Sequence, residues 1–121
     1  MKKILIIDDE VDILNMLKKM MNRAGYDVEI ADNGAVGLEL FRKHSADLVI
    51  TDIIMPEKEG LEIIREMKRI KPELKIIAIS GGGRISAESY LETAKMFGAD
   101  HAFQKPFSLS EIVGAVRELI D

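Results

Sequence analysis

Short apolar runs with no polar face are the feature that most constrains how this 121-residue chain can fold. Residues 4–7, 48–51 and 76–79 are almost continuously apolar, and longer segments with a helical spacing of apolar residues separate them. Strands that are apolar on both faces belong inside a parallel sheet that helices cover on each side. The pattern therefore predicts alternating βα units.

The remaining elements fit the same alternation. Residues 27–30 alternate between polar and apolar side chains, which is typical of an edge strand, and residues 101–104 supply a fifth strand. Gly25 is placed to end the first helix in a left-handed turn, and Ser108 with Glu111 forms a capping-box pattern at the last helix. The predicted apolar stripes of the first, third and last helices are Ile13, Leu17, Met20, Met21 and Ala24, then Leu61, Ile64 and Met67, then Leu109, Ile112, Val113, Val116 and Ile120.

Five βα units without a linker, repeat or break in composition indicate one domain over residues 1–121. Right-handed crossovers between parallel strands give a three-layer α/β sandwich, the flavodoxin-like (βα)5 fold. The common order of such a small parallel sheet is 2-1-3-4-5, which places the first and third strands side by side.

Composition narrows the possible functions. The net charge of −4 argues against a broadly basic surface for nucleic acid. No apolar run approaches the roughly 18 residues that a membrane span requires. The absence of cysteine excludes disulfides and thiolate metal sites. We therefore expect a cytoplasmic protein that binds neither nucleic acid nor membrane directly.

Polar side chains follow four of the predicted strands. Asp8 and Asp9 follow the first strand, Asp52 the third, Ser80 the fourth and Lys105 the fifth. Each has an ordinary explanation by itself, as a helix cap, a turn residue or a solvated lysine. The carboxyl ends of parallel strands form one edge where ligands bind, so the coincidence favours a shared site.

The residue types at this edge suit phosphoryl chemistry. Three carboxylates exceed the charge of one ammonium group, and repulsion between them would raise their pKa values unless a cation were bound. Mg²⁺ prefers carboxylates, water and phosphate oxygens, whereas zinc or copper would require thiolates or histidines. The metal and the lysine would neutralise phosphoryl oxygens while one carboxylate attacks in line.

On these residues the chain resembles a response-regulator receiver domain of two-component signalling, similar to the single-domain chemotaxis type. The resemblance rests on the pair Asp8-Asp9, the pattern Asp-x-x-Met-Pro-x-x-x-Gly from Asp52 to Gly60, Ser80, Gly98-Ala99-Asp100 and Lys105-Pro106-Phe107.

The resemblance implies a role for each matching residue. Asp52 would accept a phosphoryl group from a histidine kinase or a phosphotransfer protein. Mg²⁺ would be held by Asp8, Asp9 and Asp52 together with the backbone carbonyl of Ile54. Lys105 would pair with the phosphoryl oxygens. The peptide bond between Lys105 and Pro106 would be cis.

Ser80 would move toward the phosphoryl group and report its presence. The implied function is a switch with at most slow self-phosphorylation and self-dephosphorylation. Its output surface would be the fourth helix, fifth strand and fifth helix, at residues 86–97, 101–104 and 108–120, which would contact a downstream protein. We expect a monomer or a weak dimer.

The sequence departs from the family pattern in two places. Ala102 stands where receivers usually carry an aromatic residue, and strand alternation predicts that Phe103 faces the other side of the sheet. Gly81, Gly82 and Gly83 extend the loop after the fourth strand. This extension is either a switching hinge or a tolerated insertion.

Two alternatives belong to other functional classes. A Mg²⁺-dependent phosphohydrolase that forms aspartyl phosphate would require a second aspartate two residues after the nucleophile. This chain has Glu10 two residues after Asp8 and Ile54 two residues after Asp52, so that aspartate is missing. A phosphate-independent interaction module would require none of the residues that follow the strands.

Overall fold

The computed structural model describes residues 1–53, 60–81 and 87–121, with side chains except at positions 87–91. The strands are β1 (Lys3–Ile7), β2 (Asp27–Ala31), β3 (Leu48–Asp52), β4 (Lys75–Ser80) and β5 (His101–Gln104). The helices are α1 (Val11–Arg23), α2 (Gly34–Lys43), α3 (Gly60–Ile70), α4 (Ala87–Phe97) and α5 (Leu109–Ile120). Residues 54, 82 and 83, to which the sequence assigned a carbonyl ligand and a loop extension, lie outside the described residues.

The five strands form one parallel sheet in the order β2-β1-β3-β4-β5. This confirms the predicted fold class, the strand order and the edge position of β2. Ile6 of β1 is paired with Ile30 of β2 on one side and with Ile50 of β3 on the other. The carboxyl ends of β1 and β3 are therefore neighbours.

Alternate residues of each strand enter two separate cores. On one face, Ile4 and Ile6 pack with residues of α1 and α5, and on the other face Leu5 and Ile7 pack with residues of α2, α3 and α4. Each of these four side chains is at most 2% exposed. Strands that are buried on both faces have no polar side to place in water, which accounts for their continuous apolar sequences.

Local sequence signals end and begin several helices as expected. Gly25, which follows the C-cap residue Ala24 of α1, has φ of 99°, a left-handed conformation that glycine adopts without strain. Ser108 accepts a hydrogen bond from the backbone N–H of Glu111 at 3.4 Å and thereby caps α5. Asn33, which sequence analysis did not single out, caps α2 through the N–H of Val36 at 2.9 Å.

The buried stripe of α1 differs in part from the prediction. Leu14, Leu17 and Met21 are at most 3% exposed, whereas Ile13 is only half-buried. Leu14 was missed and Met20 was overestimated because the helical period defines a stripe only to within one neighbouring position. The rotation of α1 against the sheet and α5 decides which side chains lie at its centre.

Within the described part of the chain, none of the helices combines the length and the apolar character that crossing a membrane would demand.

Candidate functional site

The polar side chains predicted to converge lie along the carboxyl edge, the edge of the sheet formed by the carboxyl ends of its strands. Asp8 directly follows β1, Asp52 is the last residue of β3, and Ser80 is the last residue of β4. Lys105 directly follows β5. The parallel arrangement brings these residues to one edge although up to 97 positions of sequence separate them.

Three carboxylates form an acidic cluster, which consists of Asp8, Asp9 and Asp52. One carboxylate oxygen from each lies within 4.8 Å of the others. Asp8 and Asp52 are buried, at 0% and 3% exposure, and Asp9 is exposed. Oxygen ligands at this spacing, open to solvent on one side, fit a hard divalent cation that keeps part of its hydration shell, as Mg²⁺ does.

Lys105 places its ammonium group among the carboxylates. Its Nζ lies 2.8 Å from Oδ2 of Asp8, 2.9 Å from Oε1 of Glu10 and 3.1 Å from Oδ2 of Asp52. The side chain of Lys105 is only 10% exposed. A single, largely buried positive charge is thus shared by three negative side chains, of which Asp8 and Asp52 are also buried.

Burial and charge change the protonation equilibria of this group. Burial raises the pKa of Asp8 to about 6, although hydrogen bonds from Lys105 and from the backbone N–H of Glu10 act in the opposite direction. Burial also disfavours the charged form of Lys105, but its contacts with Asp8, Glu10 and Asp52 outweigh that effect and raise its pKa above the ordinary value. Lys105 therefore remains an ammonium group at neutral pH.

Ser80 lies inside the same edge. It is fully buried, and its Oγ has no hydrogen-bond partner among the described residues. A buried hydroxyl without a partner is unfavourable by about 1–3 kcal/mol, so a ligand oxygen that reaches it would be stabilised. The carbonyl of Ser80 accepts a hydrogen bond from the N–H of Lys105 at 2.7 Å, which connects the ends of β4 and β5.

Neighbouring residues shape access to the site. The Lys105-Pro106 peptide bond is cis, as the resemblance implied. A side-chain carbon placed on Gly81 would meet only Cδ of Lys105, at 3.9 Å, among the described atoms. Ala102 packs in the core on the α2, α3 and α4 side, and Phe103 packs on the opposite side. The predicted orientation of Phe103 is therefore confirmed.

Glu10 is the site residue that sequence analysis did not identify. It precedes α1 and reaches across to a lysine 95 positions later. Its place directly after two aspartates was a signal of local negative charge. The sequence contained no indication that its side chain would turn toward β5.

The comparisons with known proteins agree with this geometry. The family model of the response regulator receiver domain matches residues 4–117. Sporulation initiation phosphotransferase F of Bacillus subtilis is 34% identical over 119 residues, which cover 98% of this chain and 94% of the relative. Chemotaxis protein CheY of the same organism is 33% identical over 120 residues, which cover 98% of each chain.

Among solved structures, response regulator TrrA of Thermotoga maritima, in complex with Mg²⁺ and BeF, is similar to this chain. It has a TM-score of 0.86 and 34% sequence identity, and the match covers 98% of this chain and 99% of TrrA.

Proposed function

The chain belongs to the response regulator receiver domain family, whose members are switched by phosphorylation, and we propose that its switch is the phosphorylation of Asp52. The observation that carries this proposal is the position of Asp52. Its carboxylate is almost completely buried at the end of β3, and its Oδ2 lies 3.1 Å from the ammonium group of Lys105. A nucleophilic carboxylate beside a cation is arranged to accept an anionic group.

The chemical step forms an acyl phosphate. A carboxylate oxygen of Asp52 attacks the phosphorus atom of the donor, and a new O–P bond forms. The bond from phosphorus to the donor breaks, which is a P–N bond in a phosphohistidine and a P–O bond in a small acyl phosphate. The leaving group takes the electron pair of that bond. Lys105 stabilises the added negative charge through its ammonium group.

Mg²⁺ fits the acidic cluster, and TrrA, a structural relative, has been observed with this ion. Asp8, Asp9 and Asp52 would hold it, with the backbone carbonyl of Ile54, a residue outside the described part of the chain, as a further ligand. When bound, the ion neutralises the carboxylates and the phosphoryl oxygens. The residues of this chain contribute the nucleophile, the ammonium group and the burial that orients them.

Ser80 would read the phosphorylated state. Its unpartnered hydroxyl would donate a hydrogen bond to a phosphoryl oxygen, and its backbone is joined to Lys105 by the hydrogen bond between the strand ends. A shift of Ser80 would therefore move the start of the segment that links β5 to α5. Because Ala102 offers no ring to rotate, this backbone path would carry the signal to the face formed by α4, β5 and α5.

The partners follow from the family. Receiver domains are signalling domains that exchange phosphoryl groups with histidine kinases or phosphotransfer proteins and act on downstream targets. For this chain we propose that a histidine kinase or a phosphotransfer protein is the donor and that a target protein binds the face formed by α4, β5 and α5. We also propose at most slow self-phosphorylation and self-dephosphorylation. The chain would be cytoplasmic and either a monomer or a weak dimer. The phosphohydrolase and phosphate-independent alternatives are not favoured by the family assignment.

Mass spectrometry of the intact protein tests the proposal. The parent chain is incubated with acetyl phosphate, with and without Mg²⁺, and we expect the mass of one phosphoryl group to be added only when Mg²⁺ is present. Asp52→Asn removes the nucleophile and should abolish the addition. The matched control is Asp32→Asn, because Asp32 is an exposed aspartate at the end of β2 on the same edge. Phosphorylation of Asp52→Asn at the parent rate would refute the assignment.

A further inference from the structure

Glu10, the residue directly before α1, contacts the ammonium group of Lys105 with its side chain. Its Oε1 lies 2.9 Å from Nζ, which compares with 2.8 Å for Oδ2 of Asp8 and 3.1 Å for Oδ2 of Asp52. An ammonium group carries three N–H donors and has no acceptor. Two of these donors form hydrogen bonds, to Glu10 and to Asp52, and the contact with Oδ2 of Asp8 is an ion pair.

The three partners differ in their exposure to water. The side chains of Asp8 and Asp52 are 0% and 5% exposed, whereas that of Glu10 is 58% exposed. Separating Lys105 from a buried carboxylate would leave a buried charge without compensation, which is strongly unfavourable. Separation from Glu10 is nearly neutral because water replaces the lost contact. Glu10 is thus the partner that Lys105 exchanges most easily.

Phosphorylation favours such an exchange. A phosphoryl group on Asp52 introduces strong acceptor oxygens beside Lys105, and these oxygens compete with Glu10 for its N–H donors. We propose that Glu10 is a positioning residue that holds the ammonium group of Lys105 in the unphosphorylated protein and that the phosphoryl group displaces it. Its carboxylate also adds negative charge where an anionic donor approaches. Glu10 therefore slows phosphorylation. The inference rests on the proposed acceptor role of Asp52.

The position of Glu10 allows a clean substitution. Within the described start of α1, its side chain makes no capping hydrogen bond to the helix backbone, so Glu10→Ala removes the ion pair without removing a cap. Asp12→Asn is the matched control, because Asp12 is an exposed carboxylate in the first turn of the same helix. Both substitutions remove one negative charge, but only the first removes a contact with Lys105.

The first measurement is the rate of phosphorylation by acetyl phosphate in saturating Mg²⁺, followed by intact mass. We expect Glu10→Ala to react about two- to fivefold faster than the parent, the range that an exposed ion pair can supply. Asp12→Asn should stay close to the parent. Equal acceleration by both substitutions would assign the effect to net charge and would overturn the positioning role.

The second measurement follows Lys105 directly. Hydrogen exchange at its Nζ, observed by ¹⁵N-resolved NMR in the full chain, should be faster in Glu10→Ala than in the parent before phosphorylation. With Mg²⁺ and beryllium fluoride, an analogue of the phosphoryl group, the two proteins should exchange at the same rate because Glu10 is already displaced. A difference that persists with the analogue would overturn the displacement.

The outcomes separate the two proposals. A parent chain that accepts no phosphoryl group would overturn the acceptor role of Asp52 and, with it, the displacement of Glu10. A parent that is phosphorylated normally, with the same Nζ exchange as Glu10→Ala before phosphorylation, would overturn the role of Glu10 alone.

Discussion

Charge balance around single side chains governs this site. The ammonium group of Lys105 lies within ion-pair distance of three carboxylates, those of Asp8, Glu10 and Asp52. Two of these carboxylates are buried, so water cannot relieve their repulsion. Repulsion between carboxylates thus destabilises the unphosphorylated protein at the place where a cation and a phosphoryl group are expected to bind.

The pKa of Asp8 leads to a prediction about stability. Because the folded protein raises this pKa from 3.8 to about 6, folding favours the protonated carboxyl. The contribution of protonated Asp8 to the stability of the folded protein is fully present below about pH 4 and is lost as the pH rises through about 6. Without Mg²⁺, we therefore expect Asp8→Asn to be more stable than the parent at pH 7.5, by about 1–3 kcal/mol, and the difference to shrink at pH 4.5.

Urea unfolding at the two pH values, in the presence of a chelator, measures this difference. Asp9→Asn is the control, since its carboxylate is exposed and its loss should change stability less. A parent chain that is as stable as Asp8→Asn at pH 7.5 would contradict the prediction.

The start of α3 positions the strand that carries Asp52, the proposed phosphoacceptor. Gly60 is buried, and its N–H donates to the carbonyl of Ile53 at 3.3 Å. A side-chain carbon on Gly60 would overlap the carbonyl oxygen of Asp52 and the Cα of Ile53. These are backbone atoms at the end of β3 and directly after it, and backbone atoms cannot rotate away as a side chain can. Helix α3 can therefore approach the end of β3 this closely only through glycine.

Gly60→Ala should destabilise the protein by about 1–3 kcal/mol, because the added methyl group forces α3 and the end of β3 apart. It should also slow the phosphorylation of Asp52. The matched substitution is Gly114→Ala in α5, where the new carbon meets nothing within 4 Å and should stabilise the helix by about 0.5–1 kcal/mol. Chemical denaturation of both variants tests the pair. Equal changes in stability would show that contact with β3 is unimportant.

The whole molecule assembles the acidic cluster from separate strands. Asp8 and Asp9 follow β1 and Asp52 ends β3, so their carboxylates approach within 4.8 Å only because the folded sheet pairs these strands. An unfolded chain holds them far apart. Mg²⁺ binding is therefore expected to be linked to the folding of the entire sheet.

We expect Mg²⁺ to raise the free energy of unfolding by about 2.7 kcal/mol at a concentration 100 times its dissociation constant. NaCl of matched ionic strength should have a much smaller effect. Asp9→Asn removes an exposed carboxylate of the proposed Mg²⁺ site without disturbing the core, and this variant should lose most of the stabilisation that Mg²⁺ provides. Thermal or urea unfolding measures the stabilisation by Mg²⁺. If Mg²⁺ stabilises Asp9→Asn as much as the parent, the ion binds elsewhere.

Much of the fold follows from local patterns. The continuous apolar runs in β1, β3 and β4 identify central strands because a strand covered by helices on both faces has no solvent side. The alternating sequence of β2 identifies an edge. The residues that follow these strands were predicted to meet because parallel strands place their carboxyl ends together. Gly25 and Ser108 mark helix ends through short-range geometry.

Other features arise only when helices and strands pack. Glu10 reaches Lys105 because both side chains extend along the carboxyl edge, although β3 and β4 lie between β1 and β5 in the sheet. The helix rotation that buries Leu14 more than Ile13 depends on contacts with the sheet and α5. The pKa of Asp8 likewise depends on how completely its neighbours exclude water. Sequence periodicity specifies the face that a residue occupies, whereas distances between side chains, burial and shared charges depend on the relative placement of elements distant along the chain.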